Sequence, residues 1–181
     1  MKKKLTPLYR EKEIYTLFYD TIHNKLYRFP HRNKSSFTYI GLFILVLYGS
    51  TLLNDIYQPC SGPVLNIALF LIAAIICYFI AKSFMKNYYI QKIDSNIFFD
   101  ENSMEDLANK GMKQFRTELN LGVVLGMILA AFGSVLFFIF SQIELLIIAC
   151  LGLFPLFLIF LTYPLTRKKI LKKFQNKEIK L

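Results

Sequence analysis

The chain has 181 residues, of which 55% are hydrophobic and 18 are Phe, and it carries a formal net charge of +10. That apolar share is too high for one soluble domain of this length and places the chain among small polytopic membrane proteins. The positive charge does not point to nucleic acid, because the cations flank apolar stretches, where they orient spans and attract anionic lipid headgroups. The expected partner of the basic segments is therefore the lipid bilayer with its anionic headgroups.

Residues 1–36 form a basic arm. A cleavable signal is not expected, since Arg10, Glu11, Lys12 and Glu13 stand where its apolar region would be. Between Leu8 and Phe29, Ile14, Leu17, Phe18, Ile22, Leu26 and Phe29 recur at three- and four-residue steps. The spacing predicts an amphipathic helix ended by Pro30. A β-hairpin pairing Glu13–Asp20 with Leu26–Phe29, turning at His23-Asn24, is the competing expectation. His23 and His31 are expected to be solvated. The sequon Asn33-Lys34-Ser35 is expected on the inner side, out of reach of glycosylation.

Four apolar stretches are long enough to cross a hydrocarbon core that takes about 20 helical residues. They are 37–57, 63–81, 119–140 and 143–165. All 22 Lys and Arg residues lie outside them: nine before the first, six in 82–118, seven in 166–181, and none in the connections 54–62 and 141–144. Cationic loops stay on the cytoplasmic side. The expected fold is thus all-α, with four transmembrane helices as two antiparallel hairpins (37–81 and 119–165) and both termini cytoplasmic in the cell membrane. Cytoplasmic amphipathic helices complete it. In the linker 82–118, Ser103 caps a helix whose face carries Met104, Leu107, Ala108, Gly111, Met112, Phe115 and Leu119. That helix is expected to lie on the membrane surface and run into span three. The tail 166–181, with Ile170, Leu171 and Phe174 among lysines, is expected to extend span four into the headgroups.

A short internal repeat is visible: Leu17-Phe18-Tyr19-Asp20 matches Ile97-Phe98-Phe99-Asp100, and Tyr48-Gly49-Ser50 matches Phe132-Gly133-Ser134. Both halves would then begin with a cytoplasmic amphipathic segment followed by a hairpin.

Candidate functional positions are those of helix packing. Gly122, Gly126, Ala130 and Ser134 recur every four residues in span three with Gly133 beside them, a small-residue stripe that lets another helix approach closely. An intramolecular partner is favoured over a second copy, with a homo-oligomer as the other outcome. Pro155 weakens the backbone of span four, with Gly152 three residues before it. Asn66 is the polar group best placed to bond between helices. No Asp, Glu, Lys, Arg or His is expected at depth in the spans, so neither a catalytic residue, nor a cofactor, nor a metal site is assigned. Cys60, Cys77 and Cys150 show no metal or redox spacing. An ion site at Asp100-Glu101 and Glu105-Asp106 is set aside, because acids at a helix start meet its dipole.

The expected function is that of a non-enzymatic membrane binding or regulatory protein with a membrane-protein or toxin partner. Its concrete form is an immunity-type protein protecting against a membrane-active toxin or bacteriocin. The chain resembles small bacterial proteins of that kind in size, topology and basic ends, by architecture and not by motif. The alternative is an accessory or permease subunit of a transporter, coupled through helix 103–115.

Overall fold

The computed structural model describes residues 5–12, 14–31, 36–88 and 101–179. The sequon and the repeat copy at 97–100 lie outside the described residues, as does Asp100 of the acidic group. The chain is mostly helical with one small antiparallel sheet. Strands β1 (Leu5–Glu11), β2 (Tyr15–Asp20) and β3 (Lys25–Pro30) precede helices α1 (Ser36–Tyr57), α2 (Pro63–Tyr88), α3 (Glu101–Phe140), α4 (Ile143–Leu161) and α5 (Pro164–Gln175). Among the described residues three helices are long and apolar enough to cross a membrane, at 63–87, 103–140 and 143–161. Two compact units are built from these elements.

The first unit comprises Met1–Arg32, Phe84–Asn120 and Leu158–Leu181. Here the amphipathic helix expected over Leu8–Phe29 is replaced by a sheet of order β1-β2-β3, with the pairs Leu17 and Arg28, Phe18 and Tyr27, and Tyr19 and Leu26 in register. The competing hairpin expectation describes β2 and β3. The physical reason is that β2 is buried on both faces from Thr16 to Asp20. Leu17 and Tyr19 point one way, while Thr16, Phe18 and Asp20 point the other. As a helix, this segment would leave part of that apolar surface in water. Tyr, Phe and Thr also fit a pleated surface well. Ile14 and Ile22, which completed the apparent helical face, sit exposed in turns.

One sheet face packs on helices. Leu8, Tyr19 and Leu26 join Met104, Ala108, Met112 and Phe115 of α3 and Ile170, Leu171 and Phe174 of α5 in a single core. The other face carries Phe18, Tyr27 and Phe29 with Leu5 against them. The chain approaches α3 closely at Gly111, where a Cβ would lie 2.9 Å from the Leu8 carbonyl oxygen. The face of 103–115 expected on the membrane surface is therefore covered by the sheet and α5. The helix itself runs without a break into the apolar part of α3.

The tail is corrected likewise. The helix expected over 143–165 ends at Leu161, because Pro164 lacks a backbone donor and disfavours helical geometry in the residue before it. Tyr163 turns into the left-handed region, φ 51°. After it, α5 starts afresh with Pro164 at its first turn. Ile170, Leu171 and Phe174 are buried against protein while Leu165, Lys168, Lys169, Lys172 and Lys173 are exposed. The repeat also loses its common start, since the segment ahead of α1 is sheet and residues 101–118 are helix.

The second unit, Asn33–Ser83 with Leu121–Phe157, holds α1, most of α2, the apolar part of α3 and most of α4. Its core joins Tyr57, Phe137 and Leu146 with Leu69, Phe70, Ala73, Ile143 and Leu145. Around that core the long side chains point outward. Only 17% to 22% of the most apolar stretch of each of the three long apolar helices is buried.

Candidate functional site: a close helix contact with a polar end

The small residues of α3 meet small residues of α4. A Cβ on Gly133 would overlap the Ala149 backbone, with Ala149 Cα at 2.8 Å. A Cβ on Gly152 would overlap Ala130, with Ala130 Cα at 2.8 Å and the Gly126 carbonyl oxygen at 2.7 Å. Gly126 in turn faces the Gly152 carbonyl oxygen and Leu156. Only hydrogen at these positions lets the two backbones touch, and Ala149 is completely buried as a result. Ser134 is half-buried and returns its hydroxyl to the Ala130 carbonyl of its own helix. Gly122 is half-buried. Pro155 is also half-buried, and α4 continues through it.

A chain of side-chain hydrogen bonds closes one end of this contact. The Tyr57 hydroxyl, at the end of α1, donates to Asn66 Oδ1 in α2. Asn66, 4% exposed, donates from Nδ2 to Ser141 Oγ at 2.8 Å. Ser141 is the residue that stops α3: its amide bonds to the Phe137 carbonyl, and its φ is 52°. A left-handed residue after a helix is normally Gly. Serine here accepts a local backbone cost and in return supplies the acceptor for Asn66. One turn away in the chain, Asn54 Oδ1 accepts from the Ile143 amide at 3.2 Å, which satisfies one of the free N–H groups at the start of α4. Tyr57 also stacks near Phe137, ring centres 6.4 Å apart. Ends of four helices, α1 to α4, are thereby joined through neutral polar groups.

No protein-family model matches the chain, and no match was found among curated proteins or solved structures.

Of the seven positions singled out by sequence, Gly126, Ala130 and Gly133 meet at the α3–α4 contact, and Asn66 lies at its polar end. Sequence reasoning missed the partners Ala149, Tyr57, Ser141 and Asn54, which carry no spacing signal. It also missed that Cys77 of α2 donates its thiol to the Cys150 carbonyl of α4 at 3.5 Å. Cys60 is exposed.

The first unit carries its own polar device. Arg167 of α5 is 4% exposed. It donates from Nη1 to Glu118 Oε2 at 2.6 Å, from Nη2 to the Leu8 carbonyl at 3.3 Å, and lies 5.2 Å from the Phe115 ring centre. One guanidinium thus ties β1, α3 and α5. In the β2–β3 turn, Asp20 is fully buried yet accepts from the Ile22 amide at 2.9 Å and pairs with His23 Nδ1 at 2.7 Å. His23 is therefore not simply solvated. Burial pushes the Asp20 carboxyl up, but its bonds from His23 and the turn amides outweigh that and hold it below the ordinary carboxylate value. The Tyr9 phenol, hydrogen-bonded to Glu11 and partly desolvated, is pushed up to about 12.

Proposed function

We propose that this chain is a non-enzymatic integral protein of the cell membrane that acts by binding another membrane component. In this reading α1, α2, the apolar part of α3 and α4 are four spans in two antiparallel hairpins, with both termini on the cytoplasmic side. The distribution of the 22 cations supports that orientation. The observation that carries the reading is the inside-out packing of the second unit. Its small and polar groups are turned inward and hydrogen-bonded, while Leu121, Leu125, Ile128, Phe132, Val135 and Ile139 are exposed along α3. Such a continuous apolar surface is stable only against lipid or against another membrane protein.

The concrete form is an immunity-type protein that shields a bacterial cell from a membrane-active toxin or bacteriocin, engaging it through these outward faces and the two outer loops. The test is expression of the chain alone in cells killed by such a toxin. The expected outcome is survival, lost in a Phe132→Ala/Ile139→Ala variant that still inserts at wild-type levels. Instability when expressed alone, together with stoichiometric co-purification with a transporter, would replace this reading by an accessory or permease subunit.

A further inference from the structure

We propose that a cationic groove between α3 and the end of α5 binds the phosphate of an anionic phospholipid headgroup. The groove, about 300 Å³, lies within the first unit and is lined chiefly by Asn109, Lys113, Arg116, Thr117, Asn120 and Gln175. Its lining holds two cations, three carboxamides and a hydroxyl, but no carboxylate. The carboxylates of α3 whose side chains are described are each taken elsewhere: Glu105 by Lys177 at 3.2 Å, Asp106 by Lys110 at 2.7 Å and Glu118 by Arg167 at 2.6 Å. Among the described residues, Lys113 and Arg116 are left facing the groove with no counter-charge.

The walls are fixed as well as charged. Gln175 Nε2 donates to Asn109 Oδ1 at 2.8 Å, which braces α5 against α3 and leaves the Asn109 amide group with both N–H donors for another acceptor. The Thr117 hydroxyl donates back to the Lys113 carbonyl of its own helix at 3.1 Å. A forked guanidinium, an ammonium and amide donors around one opening are the donor set that a phosphate oxygen cluster accepts. The choice of a lipid over a soluble phosphate comes from position in the chain. Asn120 immediately precedes the apolar run Leu121–Phe140 of the same helix, and Arg116 is four residues further back. At 1.5 Å per residue Arg116 lies about 8 Å and Lys113 about 12 Å before the helix turns apolar, which sets the two cations beside a headgroup layer about 5–8 Å deep. The inference rests on reading α3 as a membrane span.

The decisive experiment is native mass spectrometry of the full chain in nanodiscs and after mild delipidation, with phosphatidylcholine alone or mixed with the anionic phosphatidylglycerol. The expected result is retention of one phosphatidylglycerol per protein, reduced at least tenfold in Lys113→Gln/Arg116→Gln. Lys168→Gln/Lys169→Gln, which removes the same charge from the outward face of α5, should leave retention unchanged. Equal loss in both variants, or equal retention of phosphatidylcholine, would overturn the site. Displacement of the lipid by millimolar inorganic phosphate would overturn the lipid assignment in favour of a soluble anion. Failure of the chain to enter nanodiscs would overturn the span itself, whereas insertion without lipid preference would overturn only the groove.

Discussion

The two units solve the same packing problem with opposite side-chain choices, and α3 contributes to both. Up to Phe115 this helix buries large residues, with Met104, Met112 and Phe115 in a core beside the sheet, and exposes charge. Beyond Asn120 it buries Gly126, Ala130 and Gly133, with Phe137 the one large side chain turned inward among its described residues, and exposes Leu121, Leu125 and Phe132. In water the hydrophobic effect drives large apolar groups inward, at about 25 cal/mol per Å² removed from solvent. Where the surroundings are themselves apolar that drive vanishes, and helices associate through close backbone contact and a few internal hydrogen bonds. In the membrane reading proposed above, one helix serves two solvents, with the change at the Asn120–Leu121 step.

The comparison breaks most visibly at the closest backbone contact. Gly152→Leu forces carbon into the backbone of Ala130, and no flexible side chain is there to yield. A loss of about 3 kcal/mol, the upper end for overpacking, is expected in circular-dichroism melts in detergent. Gly49 is the matched control, since a Cβ there meets nothing within 4 Å. Gly49→Ala should raise stability by about 0.5 kcal/mol through the helix interior.

The first unit should fail differently. Glu118→Gln leaves the buried Arg167 guanidinium without its carboxylate, at a cost of about 2–3 kcal/mol. That is less than for a fully buried pair, because Glu118 itself is partly exposed. Hydrogen exchange should rise in β1, α5 and residues 101–120, and stay unchanged across the α3–α4 contact. Glu118→Gln combined with Arg167→Met should recover most of the loss, since an apolar side chain in that pocket needs no partner.

These contrasts also explain what the sequence could reveal. Long apolar runs at 63–81, 119–140 and 143–161 are legible because their signal is length, which does not depend on partners. The β2–β3 hairpin was legible only as the competing expectation, because strands buried on both faces do not alternate: Leu17, Phe18 and Tyr19 are all apolar and all covered. In β1 the register shifts between Pro7 and Tyr9, which erases the alternation there too. The apolar faces of 103–115 and 170–174 were visible by spacing, but a face does not say what covers it. Lipid and the sheet make the same demand on Ile170, Leu171 and Phe174. The stripe at Gly126, Ala130 and Gly133 stands out by its period, while Ala149 looks like any alanine until the backbone of α4 is placed against it. Asn54, Tyr57, Asn66 and Ser141 become one network only in three dimensions.

A smaller effect separates the hydrogen bonds of the polar end from its backbone geometry. Asn66→Ala removes both the acceptor for Tyr57 and the donor to Ser141, and about 1 kcal/mol is expected to be lost. Ser141→Ala should cost a similar amount, since it deletes the acceptor and keeps the left-handed strain. Ser141→Gly deletes the same acceptor but relieves a backbone cost of about 1 kcal/mol, so its net effect on the melt should be near zero. A Ser141→Gly variant as unstable as Ser141→Ala would show that the hydrogen bond, not the turn, dominates this end of the unit.

Acid gives the finest discrimination between the units. The folded Asp20 carboxyl sits below its ordinary value of 3.8, so the unfolded chain takes up its proton first. The stability contributed by Asp20 is therefore fully present above pH 3.8 and is lost as pH falls through the lower folded value. The Ile22 amide, held by Asp20 Oδ1, should lose hydrogen-exchange protection in that window, and Asp20→Asn should remove the pH dependence. The contact at Tyr57, Asn66 and Ser141 is made of groups that stay neutral there, so protection of the adjoining helix ends should not change. Equal acid sensitivity in both units would mean that they unfold as one cooperative body, and the division at Asn120 would then mark a change of surroundings without a change of stability.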